Sequence, residues 1–299
     1  MITRVSTFQS VQRAVFSVQN TAARVDAAQR RVSTGKQLNQ PSDDPTGTSQ
    51  TLNFRKRIAD LDQYGRTMDQ AKGFMSTTEA ALDSVTMLIR QARSLAVQAS
   101  SDTLSTDART GIANQIQNII TQVGSLGNTT HGSRYVFGGQ RTQTAPFINA
   151  GDTYSYQGGT FSNGDGNLTL DIGRGEEMTT NVTGDKVFPA VLDTLRELRD
   201  HVATSSVQLT SREDLSKLDK HLSNLLNVRA DLGSKIQRVE LTKNRNDGLK
   251  LSFTEVVSQI EDADLPKSIM ELQTAQLGYQ AALQATASGF KSSLLDYIR

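Results

Sequence analysis

The sequence lacks cysteine and tryptophan, contains five prolines in 299 residues, and is only 5% aromatic. Without cysteine, no disulfide can form, and metal sites lose their commonest soft ligand. So few prolines favour long helices, because proline in a helix interior removes a backbone hydrogen bond. The small aromatic content predicts slender helices around a thin core rather than the larger core of a globular enzyme.

Long apolar runs and an excess of one charge are also absent. No segment reaches about 18 consecutive apolar residues, so the sequence predicts no membrane span. The N-terminal residues contain no apolar run of the kind found in a cleaved secretory signal. The formal net charge of +1 gives no general attraction to nucleic acid or anionic membranes.

No catalytic arrangement is recognisable. The histidines His131, His201 and His221 form no i, i+4 metal pair, and there is no P-loop, GxSxG or dinucleotide-binding motif. Segment 163–167 resembles the start of a calcium loop, but Arg174 stands where the loop needs glutamate, so a hairpin turn is favoured. We therefore predict no enzyme activity, no cofactor, no catalytic residue and no metal site.

Acidic clusters are interpreted structurally. Asp43 and Asp44 precede Pro45, an arrangement that favours a helix cap over catalytic carboxylates. Glu261, Asp262 and Asp264 are predicted to lie at a solvated helix end or at the start of the next helix.

Apolar residues spaced three and four apart predict long amphipathic helices. The longest stripe covers residues 68–99, roughly 48 Å of helix, and needs partners because its seam is apolar. We expect those partners in the stripes at 107–127 and 211–260. The members of the long stripe are Met68, Ala71, Met75, Thr78, Leu82, Val85, Ile89, Ala92, Ala96 and Ala99.

Weaker stripes lie at both termini, over residues 8–32 and 269–298. The first consists of small side chains and is bordered mainly by basic residues. Such a helix could lie on a membrane, but its valines and alanines favour packing against another helix. Between the stripes, turns are expected at Gly35, at 41–45, at Gly127 and at 264–266. A capping box is expected at 210–213, and the helix after the long turn is expected to start between Thr46 and Gln50.

Glycine-rich residues 131–186 alternate with short β-rich runs at 134–137, 153–156, 167–172 and 179–183, which predicts a small β-domain. The expected fold is mainly α: an elongated antiparallel helical bundle of the N- and C-terminal halves, with this β-domain inserted in the middle. We expect a terminal coiled-coil assembly domain (1–45 with 265–299), a helical rod domain (46–130 with 187–264) and an outer β-domain (131–186).

Several motifs resemble bacterial flagellins and their relatives. Arg31-Val-Ser-Thr-Gly35 with Ser42-Asp-Asp44 resembles the N-terminal region of that family, and Leu95-Ala-Val-Gln-Ala-Ser100 resembles its first core helix. Ser258-Gln-Ile-Glu-Asp-Ala-Asp264 is similar to its C-terminal signature, although Pro266 departs from it. The resemblance covers about 1–140 and 205–299, and the short middle region resembles a junction subunit more than a filament flagellin.

The resemblance implies a structural adaptor of the bacterial flagellum that joins the hook to the flagellin filament. It implies self-assembly in a helical ring, the first hook-associated protein and flagellin as neighbours, and an export chaperone at the C-terminal segment. It also implies an extracellular location reached by type III export without a cleaved signal. The alternatives are a minor filament flagellin and a secreted adhesive or membrane-active helical protein. The predicted assembly residues are Phe8, Val11, Val15, Val18, Leu283, Phe290 and Leu294.

Overall fold

A computed structural model describes residues 2–101, 104–151, 153–159, 166–204 and 209–298 of the chain. These residues form six α-helices and six short strands, which confirms the predicted helical bundle with a β region between its halves. The helices are α1 (Ile2–Thr34), α2 (Pro45–Ala99), α3 (Thr106–Gly127), α4 (Phe188–Ala203), α5 (Leu215–Glu261) and α6 (Leu265–Ile298). The strands are β1 (Thr130–His131), β2 (Arg134–Tyr135), β3 (Phe147–Asn149), β4 (Tyr154–Tyr156), β5 (Thr169–Gly173) and β6 (Glu176–Thr179).

The chain forms two compact units. We call Met1–Asp60 with Gly248–Arg299 the terminal unit, and Leu61–Asp247 the central unit. Helices α2 and α5 contribute residues to both units. These limits differ from the three predicted domains, and that division stays a prediction.

Helix α2 begins at Pro45, earlier than the expected start. Asp44 caps it, because Asp44 Oδ1 accepts hydrogen bonds from the backbone N–H groups of Thr46 and Gly47, both at 3.0 Å. The helix has 55 residues, or about 82 Å at the usual rise.

The long stripe of α2 is buried in the central unit, and Met68, Met75 and Leu82 keep no exposed surface. Ion pairs show that α5 runs antiparallel beside it, since the partners step back along α5 as they step forward along α2. Their order is Asp69–Lys243, Lys72–Glu240, Asp83–Arg229 and Arg93–Asp219. The predicted pairing of these two stripes is therefore present.

The start and the later course of α5 differ from the prediction. The backbone is π-helical over Leu209–Asp214, so helical geometry begins before the proposed capping box could cap it. Farther along, the buried stripe passes through Thr242 and Asn246, whereas Leu249 is exposed. Polar residues therefore occupy part of the packed face of α5, within the range of the predicted apolar stripe at 211–260.

The β region consists of three separate antiparallel pairs, β1–β2, β3–β4 and β5–β6. The predicted strand at 179–183 is wrong, because β6 ends at Thr179. Beyond it, the Asn181 side chain holds the loop by bonding the backbone of Leu168 and Gly166. The proposed calcium-like turn at 163–167 lies largely outside the described residues.

Aromatic side chains join the β region to the helices of the central unit. The Phe188 ring of α4 lies 4.7 Å from Phe137 and 5.1 Å from Phe147, measured between ring centroids. A Cβ on Gly127, the last residue of α3, would lie 2.6 Å from the Phe147 ring. The β pairs and the helices therefore share one core.

Candidate assembly surface

Helices α1 and α6 of the terminal unit pack against each other as an antiparallel pair. The end of α1 lies beside the start of α6, where Arg31 Nη1 is 3.1 Å from Glu271 Oε2. This ion pair is exposed and contributes little stability. A groove between the helices is lined by charged side chains, by Met270 and by the small residues Ala27, Ala28, Ala275 and Gly278. Small side chains allow close approach of the helices but bury little apolar area.

The terminal unit leaves many of its apolar side chains exposed, and most of the others are only half-buried. Among its described side chains, Ala28 is the only buried apolar one. Exposed large apolar residues on its helices are Val15, Phe16, Leu52, Leu249, Leu251, Leu265, Ile269, Met270, Leu277 and Leu283. So many exposed large apolar side chains in one unit indicate an interaction surface.

Four of the predicted assembly residues can be placed on this surface. Val15 is 44% exposed and Leu283 is 42% exposed, whereas Val11 and Val18 are half-buried. Phe8, Phe290 and Leu294 lie in helices α1 and α6, but their side chains are outside the described residues. Their assembly role stays a prediction.

The stripe pattern missed the most exposed apolar residues of the pair. Phe16 is 69% exposed, Leu277 is 67% exposed and Met270 is 63% exposed. Phe16 lies one position off the α1 stripe, among Gln12, Arg13 and Gln19. A large aromatic residue on an otherwise polar helix face was the available signal.

Two short connectors meet beside this helix pair. The first connector (residues 35–44) joins α1 to α2, and the second connector (residues 262–264) joins α5 to α6. Lys36 and Asp262 form an antiparallel β-bridge. Gly35 has a φ of 69°, a left-handed conformation that suits glycine. Glu261 ends α5 but is only 7% exposed, so a solvated helix end is wrong for this residue. Asp264 instead fits the alternative of a start signal, because its Oδ1 accepts a hydrogen bond from the Lys267 N–H at 3.1 Å at the start of α6.

The histidines have structural partners. His131 Nδ1 lies 2.8 Å from Thr77 Oγ1, His201 Nδ1 lies 2.8 Å from Asp214 Oδ2, and His221 Nε2 lies 2.9 Å from Thr194 Oγ1. Burial lowers the pKa of His221, and the charge of Lys217 lowers it further.

The described part of the chain shows neither a metal centre nor a membrane-spanning helix. No group of three or more His, Asp or Glu side chains there is placed to hold a metal ion. None of the helices described is both long and apolar enough to cross a bilayer.

The family follows from comparison with known proteins. Residues 5–142 match the bacterial flagellin N-terminal helical region, and residues 215–298 match the bacterial flagellin C-terminal helical region. The chain belongs to the flagellin family. The resemblance predicted from the motifs at 31–44, 95–100 and 258–264 is confirmed.

Within the family, the likeness extends over nearly the whole chain. The flagellar hook-associated protein 3 of Escherichia coli K12 is 30% identical over 314 residues, covering 96% of each chain. A flagellin of Halalkalibacterium halodurans is 24% identical over 274 residues, covering 91% of each. The fold also matches the structure of a putative flagellar hook-associated protein from Vibrio parahaemolyticus, with a TM-score of 0.65 and 21% identity. That match covers 74% of this chain and 100% of the other.

Proposed function

We propose that this chain is a structural adaptor of the bacterial flagellum that joins the hook to the flagellin filament. The observation that carries the proposal is 30% identity to a flagellar hook-associated protein 3 over 96% of both chains. The flagellin comparison is weaker in identity and in coverage. The minor-flagellin alternative is therefore less well supported.

Assembly proceeds in this proposal by burying the terminal helix pair. Helices α1 and α6 expose apolar residues that find too little cover within one chain, so neighbouring subunits supply the missing surface. The proposed contacts are made by Phe8, Val11, Val15, Val18, Leu283, Phe290 and Leu294.

The proposed partners follow from a place at the junction. Copies of the chain assemble in a helical ring, bounded by the first hook-associated protein on the hook side and by flagellin on the filament side. An export chaperone binds the C-terminal segment beforehand, and the chain leaves the cell without a cleaved signal. The outer role of the β region belongs to the same proposal.

Immunogold labelling of intact flagella tests the location. A tag in an exposed turn of the β region, at Gly151, avoids both terminal helices. We expect one band of label where the filament meets the hook. Label along the whole filament would instead support the minor-flagellin alternative.

Deletion of residues 1–34 or 270–299 tests the assembly mechanism. We expect either variant to remain a folded, soluble monomer that no longer enters the flagellum, because the central core lies elsewhere. Circular dichroism and hydrogen exchange measure the fold, and labelling measures incorporation. Unfolding of residues 50–260 in the variants would contradict the separation of roles.

A further inference from the structure

Glu261, the last residue of α5, lies at the centre of an ion-pair cluster in the terminal unit. Its Oε2 accepts hydrogen bonds from Lys36 Nζ at 2.9 Å and from Arg55 Nη2 at 2.6 Å. The Glu261 side chain is 9% exposed, whereas Lys36 and Arg55 are about half exposed. Burying a carboxylate costs free energy unless it is paired. The loss of both cations would therefore leave the Glu261 charge buried and uncompensated, whereas Lys36 and Arg55 would remain solvated.

Two backbone hydrogen bonds also join the chain segments around Glu261. The Gln37 N–H donates to the Glu261 carbonyl at 2.7 Å, and the Ala263 N–H donates to the Gly35 carbonyl at 2.9 Å. The two connectors are thus paired with each other as well as with Glu261.

The first connector is also ordered internally. Asn39 Nδ2 donates to the Lys36 carbonyl at 2.8 Å. Asp43 Oδ2 accepts from the N–H groups of Asn39 at 3.1 Å and Gln40 at 2.9 Å. Residues 35–44 therefore form a hydrogen-bonded turn rather than a loose linker.

We propose that Glu261 is a positioning residue for assembly: it binds the two connectors into one joint, so that α1 and α6 are held and released together. Lys36 lies in the first connector, Arg55 lies in α2, and Glu261 lies at the end of α5, next to the second connector. The Glu261 carboxylate bonds both cations. Loss of the carboxylate removes the one group that all three elements share.

The consequence for assembly rests on the proposed function. Each subunit must present α1 and α6 as one surface if its neighbours are to cover both. Among the described side chains of the pair, no large apolar one is fully buried, and the Arg31–Glu271 ion pair is exposed. The joint therefore supplies the alignment that helix packing alone does not.

Hydrogen exchange on the purified full chain tests the joint directly, with Glu261→Gln as the main variant. Glutamine keeps the shape of the side chain but loses its charge, so it weakens both charge-assisted bonds. We expect exchange at the Gln37 and Ala263 amides to accelerate about tenfold or more, with faster exchange in both α1 and α6. Lys36→Gln and Arg55→Gln each leave one cation on Glu261 and should have smaller effects.

Three matched variants separate this role from general damage. Glu240→Gln removes an exposed ion pair with Lys72, 3.3 Å long, and should leave both amides unchanged. Thr51→Val removes a buried hydroxyl near the joint that has no hydrogen-bond partner, and it too should leave the bridge closed. Glu261→Asp keeps the charge and should restore part of the protection. The melting of the central unit should be the same in all of them.

The outcomes are distinguishable. Acceleration at Gln37 without acceleration at Ala263 and α6 would overturn the joint, because the connectors would then open independently. Faster exchange in both helices with normal incorporation into the flagellum would overturn the assembly role. Neither result bears on the location of the wild-type chain, which the gold label measures separately.

Discussion

The central and terminal units use segments of the same two helices, α2 and α5, yet they bury very different side chains. In the central unit, Phe137, Phe188 and Ile116 are completely buried, together with much of the α2 stripe. In the terminal unit, the buried residues with side chains among those described are Ala28, Thr51, Glu261 and Ser268. Both units are built on long, continuous helices. They differ in how many large apolar side chains they bury.

The comparison indicates where each unit obtains its stability. Burying a large apolar side chain is worth about 1.5–3 kcal/mol, and the central unit does so many times. The terminal unit has half-buried apolar contacts instead, such as Phe54 with Phe253 at 5.6 Å between ring centroids, together with a β-bridge and the buried Glu261 carboxylate. Its exposed large apolar residues remain available to neighbouring subunits, as the proposed function requires.

The largest expected effect comes from a matched pair of phenylalanine substitutions, Phe188→Ala and Phe16→Ala. Phe188 is fully buried against Phe137 and Phe147, so its loss should cost about 3–5 kcal/mol of unfolding free energy. Phe16 is exposed, and its loss should change that free energy by less than about 0.5 kcal/mol. Urea unfolding of the two monomers measures both values.

Assembly is the property in which the exposed phenylalanine, Phe16, should matter. Phe16→Ala is expected to reduce incorporation into the flagellum of a strain lacking its own copy. A Phe16→Ala variant that unfolds easily, or that assembles normally, would contradict the different roles assigned to the two units.

A second, smaller effect is expected from alanine in place of two helical glycines, Gly127 of α3 and Gly278 of α6. A Cβ at Gly127 meets the buried Phe147 ring, so overpacking should cost about 1–3 kcal/mol. A Cβ at Gly278 meets nothing within 4 Å. That variant should gain about 0.5–1 kcal/mol, because alanine is the better helix former.

Thermal unfolding gives the sign of each change. Gly278 also lines the α1–α6 groove, so its alanine variant should assemble less well if a neighbour enters that groove. Equal losses of stability at both glycines would mean that the terminal unit is packed as tightly as the central one.

Periodicity predicted the parts of the fold that depend on local sequence and apolar burial. The α2 stripe, the cap at Asp44 and the break before α6 could all be predicted because each depends on neighbouring residues. The buried state of Glu261 could not, because it depends on Lys36 and Arg55, which lie far away in the chain. Phe16 was not predicted for a related reason. Apolar periodicity identifies residues that pack within the chain, and Phe16 is exposed.

The β region was harder to predict because its strands are short. The run 179–183 has β-forming residues, yet Asn181 bonds the backbone with its side chain and takes the place of a strand partner. In strands of two to five residues, one such side chain decides where the ladder ends. Alternation alone does not contain that information.

The smallest expected effect is an acid sensitivity confined to the central unit, through His221. Burial and Lys217 lower the pKa of His221 in the folded chain, so the unfolded chain binds a proton first as pH falls. The stabilisation from the neutral ring is present above about pH 6.5 and is lost as pH falls toward the lowered folded pKa.

Glutamine at this position can still bond Thr194 Oγ1 but does not titrate. The difference in unfolding free energy between His221→Gln and wild type should therefore change between about pH 7.5 and about pH 5, with wild type losing more. Parallel loss in both proteins would assign the acid sensitivity to carboxylates instead, and faster amide exchange in α1 and α6 of wild type alone would place it in the wrong unit.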